Sequence, residues 1–350
     1  SAYFEVFQYM LPIGTKVKLY FESKKYLKSN KVDIILTTAE PFILFKYASK
    51  LSNKFNIPWI ADYRDPWTQS KARSSNTFWK KFNHFFERKF LRNATHIVTV
   101  SDFFKEKIIQ VVKNKPITII SNGFDDENSK QANKIRQPSQ NLNIAFTGSL
   151  YNWHPIKSFL KAVESVNEIN NKIHLNFYGV NMEEFLKQQL KNYPITYKNC
   201  SFTGKIQNDE LMIQLSKNNL LLLFNDYAIM GTKIFDYIAV RRHIILCFYN
   251  DDEANQLKKL HHPIPVNNES EKLLQKEAIF ETNAGSVIKD SLELKEKLQD
   301  FIKEMNEFNE IKVNSKQIEK YSRSFKAKEY VKLLNKIINS EIQKIDNELT

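Results

Sequence analysis

The 350-residue chain has only two cysteines, Cys200 and Cys247, each inside an apolar run. That spacing makes neither a disulfide framework nor a zinc knuckle, so a reducing cytoplasm is the default expectation. Seven Gly and ten Pro are too few for a collagen-like or linker-rich chain. No apolar run approaches the ~20 residues of a membrane span. The opening SAYFEVFQYMLPIG lacks the basic stretch and apolar block of a signal peptide. Also absent are Asp-x-Asp, His-x-x-x-His, a nucleophile elbow and a Walker A loop. Metal-centred, serine-hydrolase and P-loop chemistry are therefore without their usual signatures. What is present is core material: 42% apolar residues, with 26 Phe and 15 Tyr, excludes a disordered chain and suffices for two domains.

Positive charge is unevenly spread. Residues 1–140 carry 24 Lys and Arg against 12 Asp and Glu, whereas residues 141–350 carry 28 against 27. Almost the whole net charge of +13 belongs to the first part. Such segregation points to a polyanionic neighbour: nucleic acid, an anionic bilayer or a phosphate-bearing substrate. Residues 67–92 concentrate it, with Lys71, Arg73, Lys80, Lys81, Arg88, Lys89 and Arg92 against Glu87. Phe78, Phe82, Phe85 and Phe86 share a helical face there, so the segment is either a membrane-surface helix or a helix packed on a sheet with its basic face solvated.

Along the chain, strand-like and helix-like patterns alternate. Strands are expected at 32–37, 57–61, 96–101 and 117–121, with helices at 16–31, 41–55 and 102–112. Residues 125–141 are polar and read as a linker. The rhythm resumes with strands at 143–147, 174–178, 200–203, 220–224 and 244–248, separated by helices at 156–167, 183–191, 209–216 and 232–240. This is the pattern of doubly wound parallel sheets. It divides the chain into a first Rossmann-like domain (1–130), a linker (131–141), a second Rossmann-like domain (142–311) and terminal helices (312–350). In the last of these, Tyr330, Leu333, Leu334 and Ile337 form an apolar stripe.

Three places offer chemistry. NIPWIADYRDPW (56–67) passes from an apolar strand into Asp62, Arg64 and Asp65, and the carboxyl ends of strands are where open α/β sheets bind ligands. The alternative is a local ion pair before Pro66. GTKIFDYIA (231–239) puts Gly231, an N-cap candidate Thr232 and Lys233 at a helix start. Free N–H groups, the helix dipole and a lysine together attract phosphate. Asp236, one turn on, is suited to sugar hydroxyls; the alternative is an ordinary amphipathic helix with a solvated lysine. Gly148-Ser149, closing the strand at 143–147, could bring backbone donors to a ligand. Asn122-Gly123 is a similar candidate, with the reading as a plain turn favoured.

The series DYRDPW, VTVS, SNGFD, FTGSLY, FTGKI and GTKIFDYIA, in this order over residues 30–335, resembles the bacterial glycosyltransferases of family 4 type. The terminal YSRSF resembles the family's closing segment, where the last helix crosses back onto the first domain. The resemblance implies an α/β fold of GT-B type, two Rossmann-like domains facing across a cleft. It also implies sugar transfer from a nucleotide-diphosphate donor to a cell-surface glycan or lipid-linked acceptor, as in polysaccharide or lipopolysaccharide assembly. Retention of configuration and no obligatory cofactor or metal come with it. The donor would bind chiefly to the second domain.

The chain departs from the family pattern in several places. The second member of the family's Glu-x7-Glu pair falls on Asp236, the ribose position, whereas the first falls on Ala228. The usual Gly-x-Pro is Arg241-Arg242-His243, and the diphosphate-holding Arg and Lys are missing from GSLYNWHP (148–155). Lys233 is left as the phosphate partner. The family's cleft histidine aligns with Arg64, flanked by Asp65. The family's opening strand and glycine-rich loop are not seen, so the first domain is expected to be incomplete at its N-terminus and the chain inactive by itself.

The leading expectation is therefore a cytoplasmic glycosyltransferase, with peripheral attachment to the inner face of the plasma membrane through residues 67–92 as a further expectation. Rival expectations are a nucleotide-sugar epimerase of the same architecture and a non-catalytic polyanion-binding protein. Nucleic acid is disfavoured because no recognised binding module accompanies the charge.

Overall fold

The computed structural model describes residues 7–68, 77–262 and 273–349. The chain forms two compact units, Ser1–Ser121 with Lys326–Thr350, and Asn122–Phe325. Lys71 and Arg73 of the basic segment lie outside the described residues.

Unit 1 is built from helix α1 (Val17–Ser29), strand β1 (Ile35–Ala39), α2 (Ile43–Phe55), β2 (Trp59–Tyr63), α3 (Thr77–Leu91), β3 (His96–Thr99), α4 (Asp102–Val111) and β4 (Ile117–Ile119). The four strands are parallel and lie in the order β1-β2-β3-β4. Every residue of β2 is buried, which explains its run of apolar residues. The two-residue period of a strand sends its side chains to opposite faces. Trp59, Ala61 and Tyr63 join a core with Phe45, Phe86 and Leu91 from α2 and α3, while Ile60 joins Val98, Ile120, Leu333 and Ile337. The second set includes the terminal helix (Arg323–Leu349), whose expected stripe Tyr330, Leu333, Leu334 and Ile337 packs on the sheet.

Three phenylalanines of α3 pack inside unit 1, whereas the side chain of Phe78 lies outside those described. Phe86 and Phe90 are buried, Phe82 packs against the same core, and Phe85 stays exposed. Of the two expectations for the basic segment, the packed helix describes these side chains.

Unit 2 runs α5 (Asp126–Ala132), β5 (Leu142–Thr147), α6 (Ile156–Asn170), β6 (Ile173–Tyr178), α7 (Glu183–Leu190), α8 (Pro194–Lys198), β7 (Cys200–Thr203), α9 (Asn208–Ser216) and β8 (Leu220–Phe224). It continues through α10 (Lys233–Val240), β9 (His243–Cys247), α11 (Asp252–His261), α12 (Leu274–Thr282), β10 (Gly285–Ile288) and α13 (Ser291–Phe308). Its six parallel strands lie in the order β10-β9-β8-β5-β6-β7. From β5 the chain winds outward through β6 and β7, then returns to β8 on the other side and winds the opposite way. The reversal falls between β5 and β8, and a crevice at the carboxyl ends of such a pair is the favoured ligand position.

Two sequence expectations need correction. Residues 125–141, read as linker, begin with α5. The Asp125 carboxylate caps it by accepting from the N–H groups of Glu127 and Asn128 at 3.0 and 3.4 Å, and Ala132 is buried. Its polar composition reflects a short helix with one narrow buried side. Strand β1 also starts later than residues 32–37, because its register is set by pairing Ile35 with Trp59. Among the described residues after 248, helices α11, α12 and α13 and strand β10 form elements that the sequence pattern does not assign.

Truncating Leu333 removes a buried contact between the terminal helix and the unit 1 sheet. The expected cost of Leu333→Ala is about 2–4 kcal/mol, read as a lower urea midpoint for unit 1. An unchanged midpoint would mean the helix does not contribute to that core.

Candidate functional site

Strand β8 ends in Phe224, and the chain turns at once through Asn225, Asp226 and Tyr227. The Asn225 carboxamide oxygen accepts from Tyr227 N–H at 2.9 Å, fixing a tight turn in which Tyr227 takes a φ of 56°. This holds the Asp226 side chain in the interior. One carboxylate oxygen accepts from the Trp153 indole N–H and from His154 Nε2, both at 3.0 Å. The buried Gln275 supplies a third contact, Oε1 accepting from Asp226 N–H at 2.8 Å. Burial alone would raise the Asp226 carboxyl, but the His154 and Trp153 hydrogen bonds and the nearby Lys233 charge outweigh it, so it is lowered and ionised.

His154 is neutral. Burial lowers its pKa despite Asp226, and its Nδ1 accepts from Tyr151 N–H at 3.3 Å, which leaves Nε2 as the proton donor.

Lys233 opens α10 at the same end of the sheet. Its Nζ donates to the Ser149 carbonyl at 2.7 Å and stands 4.1 Å from the centre of the Phe146 ring. Burial pulls the ammonium down to about 8, against the upward pull of Asp226. Gly148 and Gly231 flank this lysine with φ values of 73° and 65°, in the left-handed region that glycine enters without strain. A Cβ on Gly148 would stand 3.6 Å from Lys233 Cε, and one on Gly231 would stand 3.7 Å from Asp226 Oδ2. Gly148, Ser149, Gly231, Thr232 and Lys233 thus converge beside the β5/β8 reversal. Two details differ from the sequence expectation. Gly148 N–H is spent on the Tyr178 carbonyl at 2.9 Å, so the turn acts by holding Lys233 rather than by offering that donor. Thr232 precedes the helix with α-region backbone angles and no side-chain cap bond, because a capping hydroxyl needs an extended residue there.

Asp236 lies one turn into α10. Burial raises its carboxyl to about 6, opposed by the Arg323 guanidinium. Arg323 is held by the Gly123 carbonyl at 3.2 Å and by Asp125 at 3.3 Å. Asn122-Gly123 serves as a packing turn: a Cβ on Gly123 would meet the Tyr321 carbonyl at 2.7 Å, so only glycine fits. The turn's contribution to Asp236 runs through Arg323.

In unit 1, Asp62 is the penultimate residue of β2 and faces the terminal helix by the strand's alternation. Arg64 Nε donates to it at 3.1 Å, Thr38 Oγ1 at 2.9 Å and Tyr330 OH at 3.0 Å, while Arg64 also donates to Tyr330 OH at 2.7 Å. The ion pair weighed as the alternative for this stretch therefore exists, and Thr38 and Tyr330 enlarge it into a network. Asp65 is exposed on the following turn. Sequence reading missed Trp153, His154, Asp226 and Gln275. A Trp-His pair in the loop directly after the first strand of a sheet was the available signal.

These features define the class. The fold is GT-B, with two parallel-sheet α/β units of four and six strands. Residues 7–128 match the profile of Glycosyltransferase Family 4. No curated protein matches the sequence. Among solved structures, the lipopolysaccharide outer core galactosyltransferase WaaB in its apo form is 12% identical over 93% of this chain and 80% of that one, with a TM-score of 0.52. The Anabaena protein HepE in complex with UDP and glucose is 13% identical over 95% of this chain and 83% of that one, with a TM-score of 0.52. A putative UDP-N-acetylglucosamine 2-epimerase from Listeria monocytogenes is 11% identical over 90% and 77%, with a TM-score of 0.50. At such identities the likeness is one of fold.

Lys233 and Asp236 titrate in opposite senses, so a ligand held through phosphate and hydroxyl groups would meet opposite pH limits at the two residues. A folded Lys233 pKa of about 8, below the ordinary 10.5, means the charge is lost as pH rises through 8. A raised Asp236 pKa of about 6 means that carboxylate is lost as pH falls through 6. Nucleotide-sugar affinity measured by calorimetry is expected to be greatest between those values, weakening by up to about tenfold per unit above 8. A flat profile to pH 10 would show that Lys233 carries no ligand charge.

Proposed function

We propose that the protein is a glycosyltransferase that moves a sugar from a nucleoside diphosphate to a hydroxyl of a cell-surface glycan or lipid-linked acceptor. The observation that supports it best is Lys233 at the start of α10, beside the strand-order reversal, with Asp236 one turn further on. Lys233 and the free N–H groups of the helix start neutralise the diphosphate, and Asp236 accepts from the ribose hydroxyls.

The reaction proceeds with retention of configuration and without an obligatory metal. As the bond from the anomeric carbon to the diphosphate breaks, negative charge grows on the phosphates, where Lys233 stabilises it. The acceptor hydroxyl bonds to the anomeric carbon on the same face and gives its proton to the departing diphosphate. The protein's main work is to position two substrates and to stabilise the leaving group. In unit 1 the Asp62–Arg64–Tyr330 network, with Asp65 beside it, organises the acceptor side. The basic surplus of the first 140 residues suits an acceptor carrying phosphate at the inner face of the plasma membrane. Among the described residues no helix is long and apolar enough to cross a membrane.

A thermal-shift screen of nucleoside diphosphates and their sugars should reveal a stabilising donor. Lys233→Ala is expected to weaken that donor by about 10- to 100-fold, the loss of one charge-assisted contact. An unchanged shift would remove Lys233 from the site. Turnover with acceptor should survive EDTA. Conversion of the nucleotide sugar into its epimer in the absence of acceptor would replace this reading with the epimerase one.

A further inference from the structure

Beside Lys233 stands a group of side chains that the phosphate and ribose contacts do not use. In the loop after β5, the Tyr151 and Trp153 rings are stacked, with centroids 4.4 Å apart and planes within 7°. Tyr151 is 40% exposed. The pair is fixed at both ends through one carboxylate. Trp153 donates its indole N–H to Asp226, and His154 donates to the same oxygen while accepting the Tyr151 N–H. His262 backs the indole edge-on at 5.2 Å. An exposed aromatic face held this firmly has little conformational freedom left to lose on binding, which favours its use as a contact surface.

We infer that Tyr151 and Trp153 form a platform for the apolar face of the donor's sugar ring, and that Asp226 is the positioning residue that sets it. This rests on the nucleotide-sugar reading of the site. Connectivity and reach carry the choice of sugar over base. The Ser149 carbonyl is bonded to Lys233 Nζ at 2.7 Å, and two residues of chain span at most about 7 Å, so Tyr151 lies close to the ammonium. The sugar is joined directly to the phosphate farther from the nucleoside, whereas the base lies beyond the ribose. The ribose-binding Asp236 is coupled to Arg323, while Lys233 is coupled to Asp226 and so to the platform. The two ends of the ligand thus have separate partners. Pyranose C–H groups are weakly positive and meet the negative π face of an aromatic ring favourably.

The platform also bears on specificity. Ring stacking selects for a sugar with one unobstructed apolar face rather than for a particular hydroxyl.

The test uses calorimetry on the full chain with UDP, GDP, UDP-glucose, UDP-galactose, UDP-N-acetylglucosamine and GDP-mannose. With whichever pair the protein binds, Tyr151→Ala is expected to weaken the nucleotide sugar by roughly five- to tenfold and the bare diphosphate by less than twofold. Tyr151→Phe is expected to restore wild-type affinity, since it keeps the ring. Because Tyr151 is exposed, neither substitution threatens folding. Equal weakening of diphosphate and nucleotide sugar would assign the platform to the nucleoside and overturn the inference, as would no change in either. Failure of the wild-type chain to bind any of the six would instead overturn the donor-site reading beneath it.

Discussion

The candidate site of unit 2 is arranged around one buried acid, Asp226. Asp226 lies where β8 ends, next to the strand-order reversal, and an ionised carboxylate there is costly unless several donors converge on it. The donors come from two other segments: Trp153 and His154 from the loop after β5, and Gln275 at the start of α12. Lys233 supplies the balancing charge. Loops that would otherwise drift apart are thereby tied to one atom pair, and the aromatic pair, the lysine and the two left-handed glycines take their places around it. Removing the carboxylate would strand His154, Trp153 and a half-desolvated lysine together, so these residues stand or fall as a set.

Unit 1 solves a similar problem by strand alternation. In WIADY the odd-numbered side chains enter the aromatic core and the even-numbered ones face the terminal helix. That parity puts Asp62 next to Tyr330, and Arg64 closes the network. The same parity sends Tyr63 inward, where its hydroxyl donates to the fully buried Glu87 at 2.9 Å. Neighbouring residues on one strand thus support two polar networks in different layers, each satisfied by a helix from another part of the sequence.

Much of this was legible in the sequence, for reasons that can be named. Fully buried strands such as LLLLF write themselves as continuous apolar runs, and the stripe Tyr330, Leu333, Leu334, Ile337 has the period of a helix with one buried side. Lys233 stands out in the sequence because a lysine at a helix start has one obvious chemistry. Asp226 was not found, because a buried acid in a turn looks like any other turn residue until its donors, 72 and 73 positions upstream, are brought to it. Residues 125–141 misled by composition, since a seven-residue helix with Ser129 and Ala132 as its buried residues has too short a period to register. Arg64 and Asp62 were singled out for their charge, but only the fold reveals that they spend it largely on each other and on Tyr330.

The route of the terminal helix has a consequence for the order of events during synthesis. Unit 2 is contiguous, Asn122–Phe325, whereas unit 1 takes its last piece from Lys326–Thr350. The face of the first sheet carrying Ile60, Val98 and Ile120 therefore lacks the cover given by Leu333 and Ile337 until those residues leave the ribosome. A sheet formed early in this sequence is thus completed by a helix some two hundred residues later. In the interval, with unit 2 already able to close on itself, the nascent chain carries an open apolar sheet face for the time needed to translate some two hundred residues, at roughly 5–20 residues per second. Exposure of that face during synthesis is thus set by the length of chain between β4 and the terminal helix.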